Sequence, residues 1–256
     1  MNYLKKLFGK NDENLVKLEM QVQKLVKSAT RIELKNASAP VGSSSLKSHF
    51  GGLPYFEEGE TWPITKAGKH LEFIFQIFNQ PELNLPEEIK LIQFYYDCDE
   101  LPWDTENDGW FVKIYKVLNH EKKLSILKPK LEREFTNYCE IEFTTFKSLP
   151  DWEGIDVYDE TISDICCLLN EDEPWDYYDQ IVTKLIGEPD YQSQLGGYPQ
   201  WVQGEAVPQD QNGEPMKLLF QIDSEERANL EWGSCGSIYV FYDETQNKIE
   251  FTLQCT

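Results

Sequence analysis

Three histidines, six cysteines and 45 carboxylates are the side chains of this sequence best suited to chemistry. His49, His70 and His120 stand far apart, and no H-x-x-x-H pair offers two imidazoles on one helical face to a metal. Loop or exposed roles are the expectation for them. None of the cysteines forms a C-x-x-C pair. Gly233-Ser234-Cys235-Gly236 has the outline of a nucleophile turn, but a thiol there needs a neighbouring cation or base to become a thiolate. A tight turn into a strand over 237–243 is the stronger reading. Asp104-Thr105-Glu106-Asn107-Asp108-Gly109 opens like a calcium loop, yet its twelfth position is Tyr115 where a bidentate Glu is needed. A solvated hairpin loop is expected, although Asp97, Asp99 and Glu100 could gather a divalent ion with it. Neither a G-x-S-x-G elbow nor a P-loop occurs. No catalytic set, metal or cofactor is assigned from these residues.

The elements that must position such groups are bounded by composition. A chain of 256 residues can bury about 70–75% of its unfolded surface, and needs no disulfide or metal to hold a core. No stretch approaches the roughly 20 apolar residues of a membrane span, and the first residues lack the apolar core of a secretion signal. Stable membrane association is not expected. A cytoplasmic location with reduced thiols is. The formal charge is −21, and residues 151–190 alone carry thirteen carboxylates against one base, Lys184. Nucleic acid is a poor partner for such a surface, because binding requires cations to replace phosphate counterions. Solubility is one reading of the charge. Attraction of a basic protein is the other.

Leu15, Leu18, Val22, Leu25 and Ala29 recur at helical spacing, so a helix is predicted over 12–29 with Asp12 as its N-cap. Strands are predicted over 71–78, 91–97, 110–118, 139–146, 217–222, 237–243 and 248–254. LEFIFQIF (71–78) is apolar on both faces, as in a strand covered on two sides. Helical spacing returns within 160–187, where Pro174 suits a first turn and Gly187 with Pro189 suits an end. The acidic charge falls on the outer faces of these helices.

One segment is repeated. Residues 51–77 align with 196–222 at a constant offset of 145, with ten of 27 positions identical, against about two by chance. The matches are mostly Gly and Pro: Gly51, Gly52 and Pro54 in one copy, Gly196, Gly197 and Pro199 in the other. Glycine permits positive φ and proline fixes φ, so loop shape is what recurs. Gln76 and Gln221 are the shared amides inside apolar strands. They either hold a ligand or mend a neighbouring loop backbone. The expected fold is a β-rich α+β chain, internally duplicated into two pseudo-twofold lobes of antiparallel or mixed strands. The halves span about 45–150 and 190–256, joined by a helical connector over 151–189.

The ordered set GGLPYFEEGETWP, LEFIFQIF, LIQFYYDCDE, LGGYPQWVQGE, KLLFQIDSEE and EWGSCGSIYVFYDE through FTLQCT resembles the YwqG-like proteins of bacteria, a family of unknown function. The resemblance implies a β-rich duplicated fold in a cytoplasmic protein and brings no catalytic residues. It allows an immunity or accessory role beside a toxin. Where relatives often carry an acidic residue after the W-G pair, this chain has Ser234.

Two expectations follow. The first is a non-enzymatic acidic module that binds a basic protein, with Trp62, Trp201 and Trp232 as core packing or as partner anchors. The second is a small-molecule-binding protein or hydrolase, with Gln76, Gln221, Asp223, Trp232 and Cys235 lining the seam between lobes.

Overall fold

The computed structural model describes residues 2–40, 46–119, 121, 129, 135–188 and 193–256, with side chains described from residue 12 onward. His120 and Pro189 lie outside the described residues. The chain order is α1 (Asn2–Leu25), β1 (Lys27–Asn36), β2 (His49–Phe50), β3 (Glu72–Phe78), β4 (Leu91–Tyr96), β5 (Trp110–Tyr115), β6 (Cys139–Ser148), α2 (Ile155–Leu169), α3 (Trp175–Ile186), β7 (Gln194–Gly196), β8 (Lys217–Asp223), β9 (Ser237–Asp243) and β10 (Lys248–Gln254). The predicted strands β3, β4, β5, β6, β8, β9 and β10 form within a few residues of their expected bounds.

The strands make one ten-stranded sheet in the order β10-β9-β8-β7-β1-β6-β2-β3-β4-β5. This corrects the expectation of two lobes. The reason lies in the two long central strands. β1 pairs with β6 over ten residues in antiparallel register, from Lys27 opposite Ser148 to Asn36 opposite Cys139. On its other side β1 pairs with β7, and β6 pairs with β2. Counted as β1–β5 and β6–β10, each set gives its first strand to the other's arm, so the two arms share one continuous sheet.

The helix expected over 12–29 is also corrected. It runs from Asn2 to Leu25, which places Asp12 in its interior and Ala29 in β1. Helical spacing of Ala29 with Leu25 loses to the ladder, because residues 27–36 satisfy their backbone groups against two neighbouring strands. The connector forms two helices, with α2 starting five residues earlier than expected at Ile155.

The two arms of the sheet carry matching detail. His49 opposes Gln76 as Gln194 opposes Gln221, and Phe50 opposes Phe75 as Leu195 opposes Phe220. The register of β3 against β4 shifts between Phe73 and Phe75, and that of β8 against β9 between Leu218 and Phe220. A bulge at the same place in both arms increases local twist and bends the strands.

The bent arms face one another across a shared core. Phe75 meets Phe220 edge-on at 5.1 Å, Phe94 lies against Phe251 at 6.1 Å, and Trp232 stands perpendicular to Tyr96 at 5.1 Å. At the far ends the β4–β5 connection docks on β10: Leu253 N donates to Trp103 O at 2.7 Å, and Phe251 N to Thr105 Oγ1 at 2.8 Å. The sheet so curls most of the way into a barrel. Its outer surface is covered by the two glycine loops, over Phe73 and Tyr95 on one arm and over Tyr239 and Phe241 on the other. That double cover explains why β3 and β8 are apolar on both faces. The helices pack as a third unit around Leu18, Val22, Ile162, Ile165, Tyr178 and Val182.

Gly197 is where the second glycine loop passes the central ladder. Its φ is +73°, and a Cβ there would come within 2.7 Å of Ala29 Cβ and 2.8 Å of Ser148 Oγ. Gly213 has φ +82° but open space around it. Gly197→Ala is expected to cost about 2–5 kcal/mol from strain plus overpacking, and Gly213→Ala only about 1–2 kcal/mol. Urea unfolding of the two variants measures the difference. Equal losses would show that the close approach at Gly197 does not constrain the fold.

Candidate functional site

The two shared glutamines serve the loops beside them. Gln76 Oε1 accepts from Tyr55 N at 2.8 Å while its Nε2 donates to Lys47 O at 2.8 Å. At the matching place Gln221 Oε1 accepts from Gln200 N at 2.9 Å, and its Nε2 donates to Asp223 Oδ1 at 3.1 Å. Both amides are fully buried, where an unpaired polar group would be costly. The facing strand completes the repair by two different means. Gln93 Nε2 donates to Tyr55 O, and Tyr239 OH donates to Gln200 O. His49 and Gln194 are likewise equivalent, with His49 Nδ1 bonded to Gly51 O and Gln194 Nε2 donating to Gly196 O.

The other singled-out residues are separated by the fold. Trp62 stacks on Phe56 at 5.6 Å and donates from Nε1 to Leu71 O. Trp232 is buried in the shared core and donates from Nε1 to Asp223 O. Asp223 also accepts a 2.5 Å bond from Ser237 Oγ. Cys235 is exposed, in left-handed backbone at φ +48°, within the turn before β9. Pro54 and Pro199 are buried within the two glycine loops. The seam between the arms is filled by aromatic rings, so Gln76, Gln221 and Trp232 do not converge on a common space. In the acidic loop, Lys69 Nζ lies 2.6 Å from Asp97 Oδ1 and 2.9 Å from Asp99 Oδ2. An ammonium group already occupies the position considered for a divalent ion, and no metal-ligating cluster occurs among the described residues.

A hollow of about 570 Å³ does hold Trp232 and Cys235, together with Cys98. Burial, followed by the carboxylates of Glu72, Asp97 and Asp99, pushes the Cys98 thiol up, so it stays protonated.

A second cleft lies where the helices meet the sheet. It encloses about 380 Å³, and its lining includes Arg31, Asp151, Trp152, Tyr178, Asp179 and Trp201. β6 ends at Ser148, and the chain turns through Leu149 and Pro150 into Asp151. Asp151 caps the short 3-10 turn Trp152–Gly154 by accepting from Gly154 N at 3.0 Å. Its second oxygen accepts from Trp201 N at 2.9 Å, across fifty residues of sequence. Tyr178 OH donates to Pro150 O at 2.7 Å, and Tyr198 N to Ser148 Oγ at 3.0 Å. One carboxylate thus ties the sheet, the connector and the second glycine loop together. Of the cleft residues, sequence reasoning singled out only Trp201. The signal for Asp151 was local: an Asp following Pro at the head of a helical segment reads as a cap.

Burial raises the Asp151 carboxyl to about 6 against the lowering effect of its two backbone N–H donors, with Glu153 and Glu205 adding repulsion. Asp179 is shifted upward as well, by burial and then by Asp176 and Glu188.

Residues 48–249 match the family described as domain of unknown function DUF1963, and no curated protein matches the chain. The chain belongs to that YwqG-like family.

The direction of the Asp151 shift fixes its pH effect. The folded chain takes up a proton near pH 6 that the unfolded chain takes up only near 3.8, so this group makes folding more favourable as pH falls from 7 towards 4. Asp151→Asn abolishes that titration and leaves one backbone N–H without its acceptor, at a cost of about 1–3 kcal/mol. The stability gap between native chain and variant is expected to widen from pH 7.5 to pH 5, read from urea unfolding at each pH. A gap that narrows over that range would contradict the raised carboxyl.

Proposed function

We propose that this YwqG-like chain is a non-enzymatic cytoplasmic module that recognises a basic protein through the acidic face of its helical connector. The observation that carries the reading is how the connector is divided. Ile162, Ile165, Tyr178 and Val182 turn inward, while Glu153, Asp156, Glu160, Asp164, Asp172 and Asp176 are exposed on the outside. The connector's one cation, Lys184, is already paired with Glu19 at 2.6 Å. A single-sign face of this kind raises the encounter rate with an oppositely charged partner and repels like-charged ones. No helix among the described residues is long and apolar enough to cross a membrane.

Descent of the two arms from one duplicated unit belongs to the same reading. Its support is the constant offset in sequence together with the matched bulges, strand partners and glutamine bonds. Duplication supplied a stiff frame, and the connector inserted between the copies supplied the charged face. Neutralisation of a basic toxin domain is the specific form of this role that the family resemblance allows.

Affinity capture from the native host at low salt is expected to recover a specific basic protein. Its association rate should fall by about tenfold or more between roughly 0.05 and 0.5 M salt. Glu171→Gln, Asp172→Asn and Glu173→Gln together should slow association without altering thermal stability by more than a few degrees. Capture of nothing specific, or binding indifferent to salt, would sink the proposal.

A further inference from the structure

The cleft beside α3 differs from the rest of the acidic face because it has depth and aromatic walls. Trp152 is the ring partly open to it, while Tyr178, 5.9 Å from Trp152, and Trp201 are almost fully buried behind it. Asp151, Glu153, Asp179 and Glu188 outnumber Arg31 and Lys147 in its lining. Asp179 and Glu188 are exposed, whereas Asp151 is half-buried and held by backbone donors. A volume of about 380 Å³ is at the small end of ligand pockets, which suits one long side chain.

We propose that this cleft is the anchoring pocket for a single arginine side chain of the basic partner, with its stem along the Trp152 ring and its guanidinium at the carboxylates of Asp179 and Glu188. The inference rests on the acidic-face reading and adds the place and chemistry of its central contact. Charge complementarity argues for a cation, since the connector's field leads into the cleft from outside. The aromatic wall argues for arginine over lysine. A guanidinium is planar, more weakly hydrated, stacks on rings and presents a fork of donors to carboxylates. Buried aromatic and arginine contacts are also the kind that dominate interface energetics.

The test is titration of the native chain with N-acetyl-L-arginine methylamide at low salt, followed by tryptophan fluorescence and NMR shifts. Saturable binding is expected, with the norleucine analogue giving none and the lysine analogue binding more weakly. Asp179→Asn with Glu188→Gln should weaken arginine binding by about tenfold. Glu160→Gln with Asp164→Asn removes the same charge from the outer face of α2 and should change it by less than about twofold. No saturable response, equal losses in the two double variants, or tighter binding of the lysine analogue would overturn the pocket. A peptide of alternating Arg and Gly separates the two levels of the proposal. Salt-sensitive peptide binding weakened equally by both double variants overturns the pocket and leaves the acidic face standing. Absence of peptide binding at low salt overturns the acidic face itself.

Discussion

The ten-residue ladder between β1 and β6 is the contact on which the rest of the structure depends. It lies at the centre of the sheet, and each of its strands passes its other edge to the opposite arm. Breaking it would leave two five-stranded pieces, β1-β7-β8-β9-β10 and β6-β2-β3-β4-β5, each carrying a first strand that the chain supplies from the other set. The order on either side reads outward in matching steps, β7-β8-β9-β10 on one arm and β2-β3-β4-β5 on the other. A sheet built this way has its long-range pairing enforced by topology. The matched bulges in β3 and β8 then bend each arm inward until the phenyl rings of Phe75 and Phe220 meet.

This arrangement explains where polar chemistry can and cannot sit. The interior between the arms is aromatic, and the buried amides on the loop-covered outer faces are engaged in holding loop backbone. Gln76 and Gln221 do the same work with the same geometry, one on Tyr55 and the other on Gln200. The two arms differ in what lies outside them. On the second arm the glycine loop meets the connector, and Asp151 joins the two through Gly154 N and Trp201 N. A cleft with charged and aromatic lining lies there, between α3, the end of β6 and the second glycine loop.

Much of the fold was legible because its signals were local. Alternation and aromatic runs marked β3, β4, β8, β9 and β10, and the 145-residue offset marked the corresponding arms. The first three residues of β1 were absorbed into the helix because Ala29 continues the spacing of Leu25, and residues 30–36 were not read as a strand. β2 and β7 are two and three residues long and carry no periodicity of their own. The candidate cleft was mostly illegible: Arg31, Asp151, Tyr178 and Asp179 are spread over nearly 150 residues, and none belongs to a motif.

Sequence by itself determined the β-rich character, the repeated loops, the acidic connector and the lack of a recognised catalytic motif, since each depends on residue types at short spacing. Tertiary structure decided that the two halves share one sheet, because strand exchange across the centre is a matter of long-range hydrogen bonding. It also decided that the seam is filled and that the charged cleft lies beside α3. Burial depends on which faces meet, and that is set only when the arms bend towards each other and the helices settle on what remains exposed.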